Sequence, residues 1–432
     1  MGKRYIFFCW LLAIPFLGVA KRSRPQVLVY GYGADAYAAA VQSALSNLNT
    51  VWVVNGDRVM PELTTGVVSI TDNDHLDAGI WANLLAGIKK ETPSDSLSIA
   101  LKRRINPQLV QNTLDSLLQR YSNLTIVEGA TLRTVKQSGK SWRIELADRT
   151  RFKVHAVVDA SVDAQLYLMA QGTLDSFQIR TDIQPDYFRS APYTGLARTG
   201  VAVGEGSNGG YTLPLAALVP KGENSLFVTR HIPVVKQLSD GTEADIPLLM
   251  HVGQAVGAAA AYTAFFKTTP DRLDARTVQG ELLQYDSRIM PFVDVPLESP
   301  HFGAIQRVGA TGMLLGREDG QGHLYFDADE QVTAAEVKPV LNALFSRSQI
   351  WFIDHADVDT FTMADLFSYI KFVGQRGNEL EGQVQKNWER RYHLEGTYDE
   401  KQPVTRRQMA VLLDAYCSPF DVKVGLDGTI QR

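Results

Sequence analysis

Hydrophobic positions along the chain alternate between two regimes. A short continuous apolar run, Val27-Leu-Val-Tyr30, meets a glycine turn and passes into an alanine-rich amphipathic stretch, Ala34 to Leu48, before a second apolar run, Val51-Trp-Val-Val54. Unbroken runs of this kind are typical of strands buried on both faces, and the helical period between them predicts a strand–helix–strand unit with parallel strands. Helical periodicity returns over Pro107 to Tyr121. It leads into the strand-like Leu124 to Val127 and then two β-rich runs, Thr131 to Val135 and Trp142 to Leu146, around a Ser138-Gly-Lys-Ser141 turn. Phe152 to Asp159 reads as one more strand end. From Phe292 onward the pattern changes to apolar helical runs separated by polar turns. The fold class that follows is α/β, a parallel sheet with a β-meander and a small C-terminal helical domain.

Ahead of the first strand, Met1 to Arg4 is basic and Tyr5 to Ala20 is apolar and uncharged, ending in Gly18-Val19-Ala20. Small residues at the end of such a run predict a secretory signal peptide over 1–20. With Pro15 inside, the run falls short of the roughly 20 residues a membrane span needs. The expected location is secreted, periplasmic or at the cell surface. Of the two cysteines, Cys9 lies in the leader, leaving Cys417 alone in the mature chain, so no internal disulfide and no disulfide-linked partner are expected. A formal charge of −4 and the lack of a dense Lys/Arg face exclude nucleic acid as a partner. The 432 residues divide into a leader (1–20), a large α/β domain (21–290) with a substrate-side segment inserted at about 173–220, and a region over 291–432.

The turn after the first strand is Gly31-Tyr-Gly33-Ala-Asp-Ala36, a GxGxxA pattern opening a helix. Gly31 permits the tight turn, Gly33 lets backbone approach a pyrophosphate, and Ala36 lets helix and strand pack closely. The helix N-terminus adds partial positive charge. Where an acidic residue would accept from a ribose hydroxyl, at the end of the second strand, stands Asn55, which can accept but carries no charge. Asp57 would serve only if its loop folds back.

From these segments onward the chain resembles the FAD-dependent oxidoreductases of the glutathione-reductase-like class. Val127-Glu-Gly-Ala130, Val158-Asp159-Ala160 and Ala170-Gln-Gly172 stand where that family has its "VxGA" strand, its "VIDATGDxD" strand end and the Ala-Gly that follows. Ser161-Val162 replaces the usual Thr-Gly. Glu223 to Ile232 looks like the family's "ENLLVAGRxI" strand, with Thr229 for glycine. Asp245 to Ala260 looks like its "LGQAAGxAAA" helix, with Pro247 for arginine. The resemblance implies a Rossmann-like domain binding FAD. The pyrophosphate would lie over Gly31, Gly33 and Ala36, the ribose near Asn55, and the adenine side near Val127 and Ala130. Asp159 would stand at a strand end, and the flavin ring would meet Asp245 and the Gly253, Gln254, Ala255, Gly257 helix. On the substrate side, His231, His251 and Tyr211 are candidate acids or bases, and Arg230 can bind a carboxylate or stabilise an enolate. The alternative for each histidine is a cap or a satisfied interior group. Gly204 to Tyr211 reads as a flexible loop bordering the site. No CxxC pair, metal-ligand cluster or GxSxG turn occurs in the sequence, which argues against disulfide reduction, metal chemistry and serine hydrolysis by those routes.

The C-terminal part contains Phe302 to Gly316, an apolar helix ending in glycine, and Phe326 to Glu336, which resembles one S-layer-homology repeat. Thr333-Ala-Ala-Glu336, Thr362-Met-Ala-Asp365 and Thr405-Arg-Arg-Gln408 all fit helix capping boxes. The full Thr-Arg-Ala-Glu motif is complete in none. Binding of cell-wall polysaccharide and simple packing against the flavin domain both remain open. The stretch Glu379 to Lys401, with Trp388, Tyr392 and Tyr398, reads as a solvated helix and loop or as a glycan-contacting surface. The leading function is oxidation of a small organic, carbohydrate-derived molecule by FAD. The alternative is a cofactor-poor scaffold or cell-surface binding protein, which the departures at Asn55, Ser161-Val162 and Thr229 favour.

Overall fold

The computed structural model describes residues 24–71, 73, 75–171, 183–188, 194–206, 208–220, 224–239 and 242–431. The leader 1–20, Gly172 and Glu223 lie outside them. Strand β1 (Val27–Gly31), helix α1 (Ala34–Leu45) and strand β2 (Thr50–Val53) form the expected unit. Next come α2 (Gly79–Lys89), α3 (Asp95–Lys102) and α4 (Pro107–Leu118). Pro107 suits the first turn of α4, because its missing N–H has no helical partner there, and Asn106 caps two amides. Strand β3 (Leu124–Val127) is followed by a meander of β4 (Leu132–Ser138), β5 (Ser141–Leu146) and β6 (Arg151–Val154), then β7 (Ala156–Ala160) and α5 (Gln165–Gln171).

Strands β8 (Gly200–Gly206) and β9 (Gly209–Pro214) pair antiparallel, with Tyr211 opposite Gly204. The expected flexible loop at Gly204 to Tyr211 therefore belongs to the two paired strands of a hairpin, with Gly204 and Tyr211 buried. Its glycines mark close approach rather than mobility, since a Cβ on Gly204 would collide with the Tyr211 ring. Strand β10 (Leu226–Val228) and two helices, α6 (Ile246–Phe266) and α7 (Ala275–Gln284), complete the domain.

The main sheet is fully parallel in the order β10-β7-β1-β2-β3. The chain leaves β1 toward β2 and β3, then returns to β1's other side with β7. The C-terminal ends of β1 and β7 therefore flank a crevice, the place where open α/β sheets bind ligands. Helix α6 packs on α1 more extensively than any other pair of elements. A Cβ on Gly253 would land on the Asp35 backbone, and one on Gly257 on that of Ala39, so both glycines let the two helices touch. Although α6 has the length and hydropathy of a membrane helix, nearly all of it is buried in this core.

A second apolar core runs from Ile289 to Phe420. It is built by α8 (Phe302–Gly309), α9 (Ala334–Leu344), α10 (Ser348–Asp354), α11 (Met363–Val373), α12 (Leu380–Asn387) and α13 (Arg406–Tyr416). Helix α8 stops at Gly309 rather than Gly316, because Gly312 and Leu314 take positive φ and turn the chain. Thr362 and Thr405 make complete capping boxes. Thr333 caps α9, but Glu336 pairs with Arg406 instead of closing the box. The three segments leading into these helices close a ring of backbone hydrogen bonds. The Val332 amide donates to Val404, Val404 to Phe361, and Phe361 to Val332, at 3.1, 2.7 and 2.9 Å. Most of Glu379 to Lys401 is exposed, as read, but Trp388 and Tyr392 are core residues at 5% exposure.

Candidate dinucleotide site

The sequence-predicted cofactor residues fall into three places. Gly31, Gly33, Asn55, Val127 and Ala130 gather at the C-terminal ends of β1, β2 and β3. The Val54 amide donates to the Val127 carbonyl and the Ala130 amide to that of Val54, so the ends of β2 and β3 are laced together. Gly31, at φ +132°, has no room for a Cβ because Ala160 and Ser161 of the β7 end press against it. Ala36 is fully buried on α1. Asp159 is at the end of β7 but is turned inward. It accepts from the Ser161 amide and hydroxyl and from the Tyr167 amide, at 3.0, 2.6 and 2.7 Å. Burial raises its carboxyl above the ordinary range against the pull of those donors. Asp159 and Ser161 thus organise the turn into α5.

The helix residues form the third place. Gly253 and Gly257 face α1, and Ala255 is in the core. The Gln254 amide bonds to Gln42 (2.9 Å) and accepts from the Ile80 amide (3.2 Å). Asp245, just before α6, accepts from the Ser239 hydroxyl at 2.7 Å. These contacts are packing and loop contacts.

The four candidate catalytic residues separate into two pairs. Arg230 and His231 follow β10 at the crevice, where His231 Nε2 lies 2.7 Å from the Val162 carbonyl. Arg230 forks onto the buried Asp35, with Nε at 3.0 Å and Nη2 at 2.7 Å, and Thr229 donates its hydroxyl to the other Asp35 oxygen. Thr229, read from the sequence as a loss, is here a hydrogen-bond donor. His251 and Tyr211 lie instead in the interior beside the β8–β9 hairpin. Nδ1 of His251 meets the Val203 carbonyl at 3.2 Å, while Nε2 is buried without a partner among the described residues.

Burial lowers the His251 pKa from its ordinary 6.5. The folded state therefore keeps a neutral imidazole where the unfolded state takes a proton, and stability falls as pH drops below about 6.5. The slope of that loss is at most about 1.4 kcal/mol per pH unit, the limit for one proton. We expect His251→Gln to flatten this limb of the melting-temperature profile between pH 7 and 5. An unchanged slope would show that the histidine does not contribute.

Two residues that the sequence reading did not single out complete the site. The Gly33 amide donates to the Val59 carbonyl at 2.8 Å, and the Ala34 amide to Glu62 Oε1 at 2.6 Å. Glu62 lies on a single helical turn, Pro61–Thr64, and its other neighbour is Arg230, 3.9 Å away. Burial raises the Glu62 carboxyl above its ordinary value despite the attraction of Arg230. Asp35, the second, is a lone charge in an otherwise uncharged helix, a signal the sequence does contain. Asp57 is exposed and does not fold back.

Residues 26–175 and 189–282, more than half the chain, match the family model described as FAD dependent oxidoreductase. The chain belongs to that family. FAD is the cofactor this membership assigns, and the Rossmann-like sheet is its binding fold. A comparison with curated proteins finds no match. Among solved structures, thioredoxin reductase from Lactococcus lactis is 14% identical over 32% of this chain and 35% of its own, at a TM-score of 0.22. The bacillithiol disulfide reductase of Staphylococcus aureus is 13% identical over 32% and 38% (TM-score 0.24). The p-nitrophenol 4-monooxygenase of Pseudomonas putida is 13% identical over 32% and 41% (TM-score 0.23). The chain thus spans well under half the length of each.

The residues accommodate FAD unequally at the two ends of the site. At the adenosine end the buried Asn55 Oδ1 has no partner among the described residues, as an acceptor awaiting a ribose hydroxyl would. At the phosphate end, as folded here, both leading amides are taken, and the Arg230 guanidinium overlies Gly33. A groove of about 1100 Å³ between α1, α2 and α4 lies elsewhere.

Proposed function

We propose that this family member is exported and oxidises a small organic molecule of carbohydrate origin. The observation that carries the reading is the position of the GxGxxA turn at the β1–β7 crevice, with the unpartnered Asn55 oxygen beside it. FAD supplies the two-electron acceptor chemistry, and the chain's task is orientation and exclusion of water. His231, at the crevice, is better placed to meet a substrate than His251 and Tyr211, which are 2% exposed, while Arg230 is held by Asp35 over the phosphate end. Export rests on the leader pattern.

Two measurements test this reading. Protein recovered from outside the cytoplasm should begin at Lys21. Anaerobic mixing of the FAD-loaded protein with aldoses, polyols and sugar acids should bleach the flavin, while amino acids should not. An intact leader, or bleaching by amino acids alone, would overturn the corresponding half of the proposal.

A second reading, a flavin-fold scaffold at the cell surface with reduced turnover, is favoured by the filled phosphate end. Wall binding through the C-terminal region gains less support. Arg406, the arginine of the most complete repeat, spends its donors on the Phe326 and Leu315 carbonyls and on Glu336. The aromatic residues Trp388 and Tyr392 face inward.

A further inference from the structure

We propose that Glu62 holds the dinucleotide cradle shut, its carboxylate lying where the FAD pyrophosphate would sit, so that FAD seats only as Glu62 withdraws. The inference rests on the family reading of the cradle and adds a determinant of its occupancy.

The starting point is the leading end of α1. Its N-cap is Gly33, which has no side chain to accept from the first amides, so the helix leaves donors and partial positive charge for an external anion. A phosphate oxygen satisfies both needs, and so does a carboxylate oxygen. Glu62 Oε1 takes the Ala34 amide at 2.6 Å, while Val59, three residues earlier in the same segment, takes the Gly33 amide at 2.8 Å. The segment is anchored by the buried side chains of Val59, Met60 and Leu63, whereas the Glu62 side chain keeps 22% exposure and has a way out to solvent.

Charge gives the second argument. Asp35 and Glu62 bring two negative charges to the helix start, and Arg230 brings one positive charge. An arriving pyrophosphate would meet a net negative site if Glu62 stayed. Once Glu62 swings away, the Ala34 amide is free, and Arg230, still held by Asp35, keeps a guanidinium over Gly33 that a phosphate can share. The unpartnered Asn55 oxygen is unaffected by the change and remains ready for the ribose.

The test is an equilibrium titration of FAD, read by flavin fluorescence, into the wild-type protein and into Glu62→Ala and Glu62→Gln variants, with melting curves to confirm folding. Glu62→Ala should tighten FAD binding by about tenfold or more, equivalent to about 1.4 kcal/mol. Glu62→Gln, which keeps the acceptor oxygen and removes the charge, should give a smaller gain, and it carries the test if the alanine variant does not fold. Without FAD, hydrogen exchange of the peptide covering residues 31–37 should be faster in Glu62→Ala than in wild type. Equal affinities in all three proteins would overturn the proposal and leave the enzyme reading standing. Failure of all three folded proteins to bind FAD would overturn both.

Discussion

Alanine in place of Gly253 is expected to cost the protein about 3 kcal/mol, while alanine in place of Gly280 gains up to about 1 kcal/mol. Both glycines are inside helices, where alanine is ordinarily the better residue because it loses less backbone entropy on folding. At Gly280 a new Cβ meets open space, so that preference prevails. At Gly253 it would overlap the backbone of Asp35 in α1, and backbone atoms in a helix cannot step aside as a side-chain end can. Helices α1 and α6 would have to separate, loosening Ser43, whose hydroxyl reaches the Gly257 carbonyl at 3.2 Å, and disturbing the helix start that carries the cradle. Urea unfolding of the two variants measures the sign directly. A stabilised Gly253→Ala protein would contradict the packing account of the glycine-rich helix.

Lys102→Met is expected to cost about 4 kcal/mol, because it leaves a buried charge without its counter-ion. Lys102 Nζ lies 2.6 Å from Asp77 Oδ2, with both side chains at 1% exposure or less, and Trp81 Nε1 donates to the other Asp77 oxygen at 2.6 Å. The pair ties the loop before α2 to the end of α3. From the other side the Arg288 Nε approaches the Asp77 carbonyl at 3.4 Å, and its Nη1 reaches the Phe292 and Val295 carbonyls at 3.1 and 2.7 Å. Adding Asp77→Asn to Lys102→Met should recover most of the loss, since asparagine keeps the acceptor for Trp81 and removes the stranded charge. A single variant within about 1 kcal/mol of wild type would show that Asp77 finds another partner or takes up a proton.

The sheet was legible because parallel strands buried on both faces leave largely apolar runs, as β1, β2 and β7 do, while the partly exposed edge strand β3 was read from its place after a helix. The capping boxes at Thr362 and Thr405 were legible for a local reason, since four consecutive residues contain the whole interaction. Contacts made across long sequence separations were not. Glu62 reaches Ala34 across 28 residues, and Arg230 reaches Asp35 across 195; neither carries a local periodicity or spacing. The glycines at 204, 253 and 257 were visible but ambiguous, because a missing side chain serves a loop, a ligand or a close helix crossing equally well. Only the neighbours decide, and here they are Tyr211, Asp35 and Ala39. Thr229 looked like a lost glycine, yet it makes a hydrogen bond that a glycine could not.

The central claim, that the Gly31 to Ala36 turn is a working dinucleotide cradle, is tested most directly by titrating FAD into the wild-type protein and a Gly33→Asp variant of confirmed fold. Gly33 holds φ at +102° directly beneath the Arg230 guanidinium, so an aspartate there introduces strain and a fixed negative charge where phosphate must approach. Saturable one-to-one quenching of flavin fluorescence by wild type, abolished by Gly33→Asp, is the predicted result. Superimposable titrations of the two proteins, or a wild type with no saturable site, would contradict it.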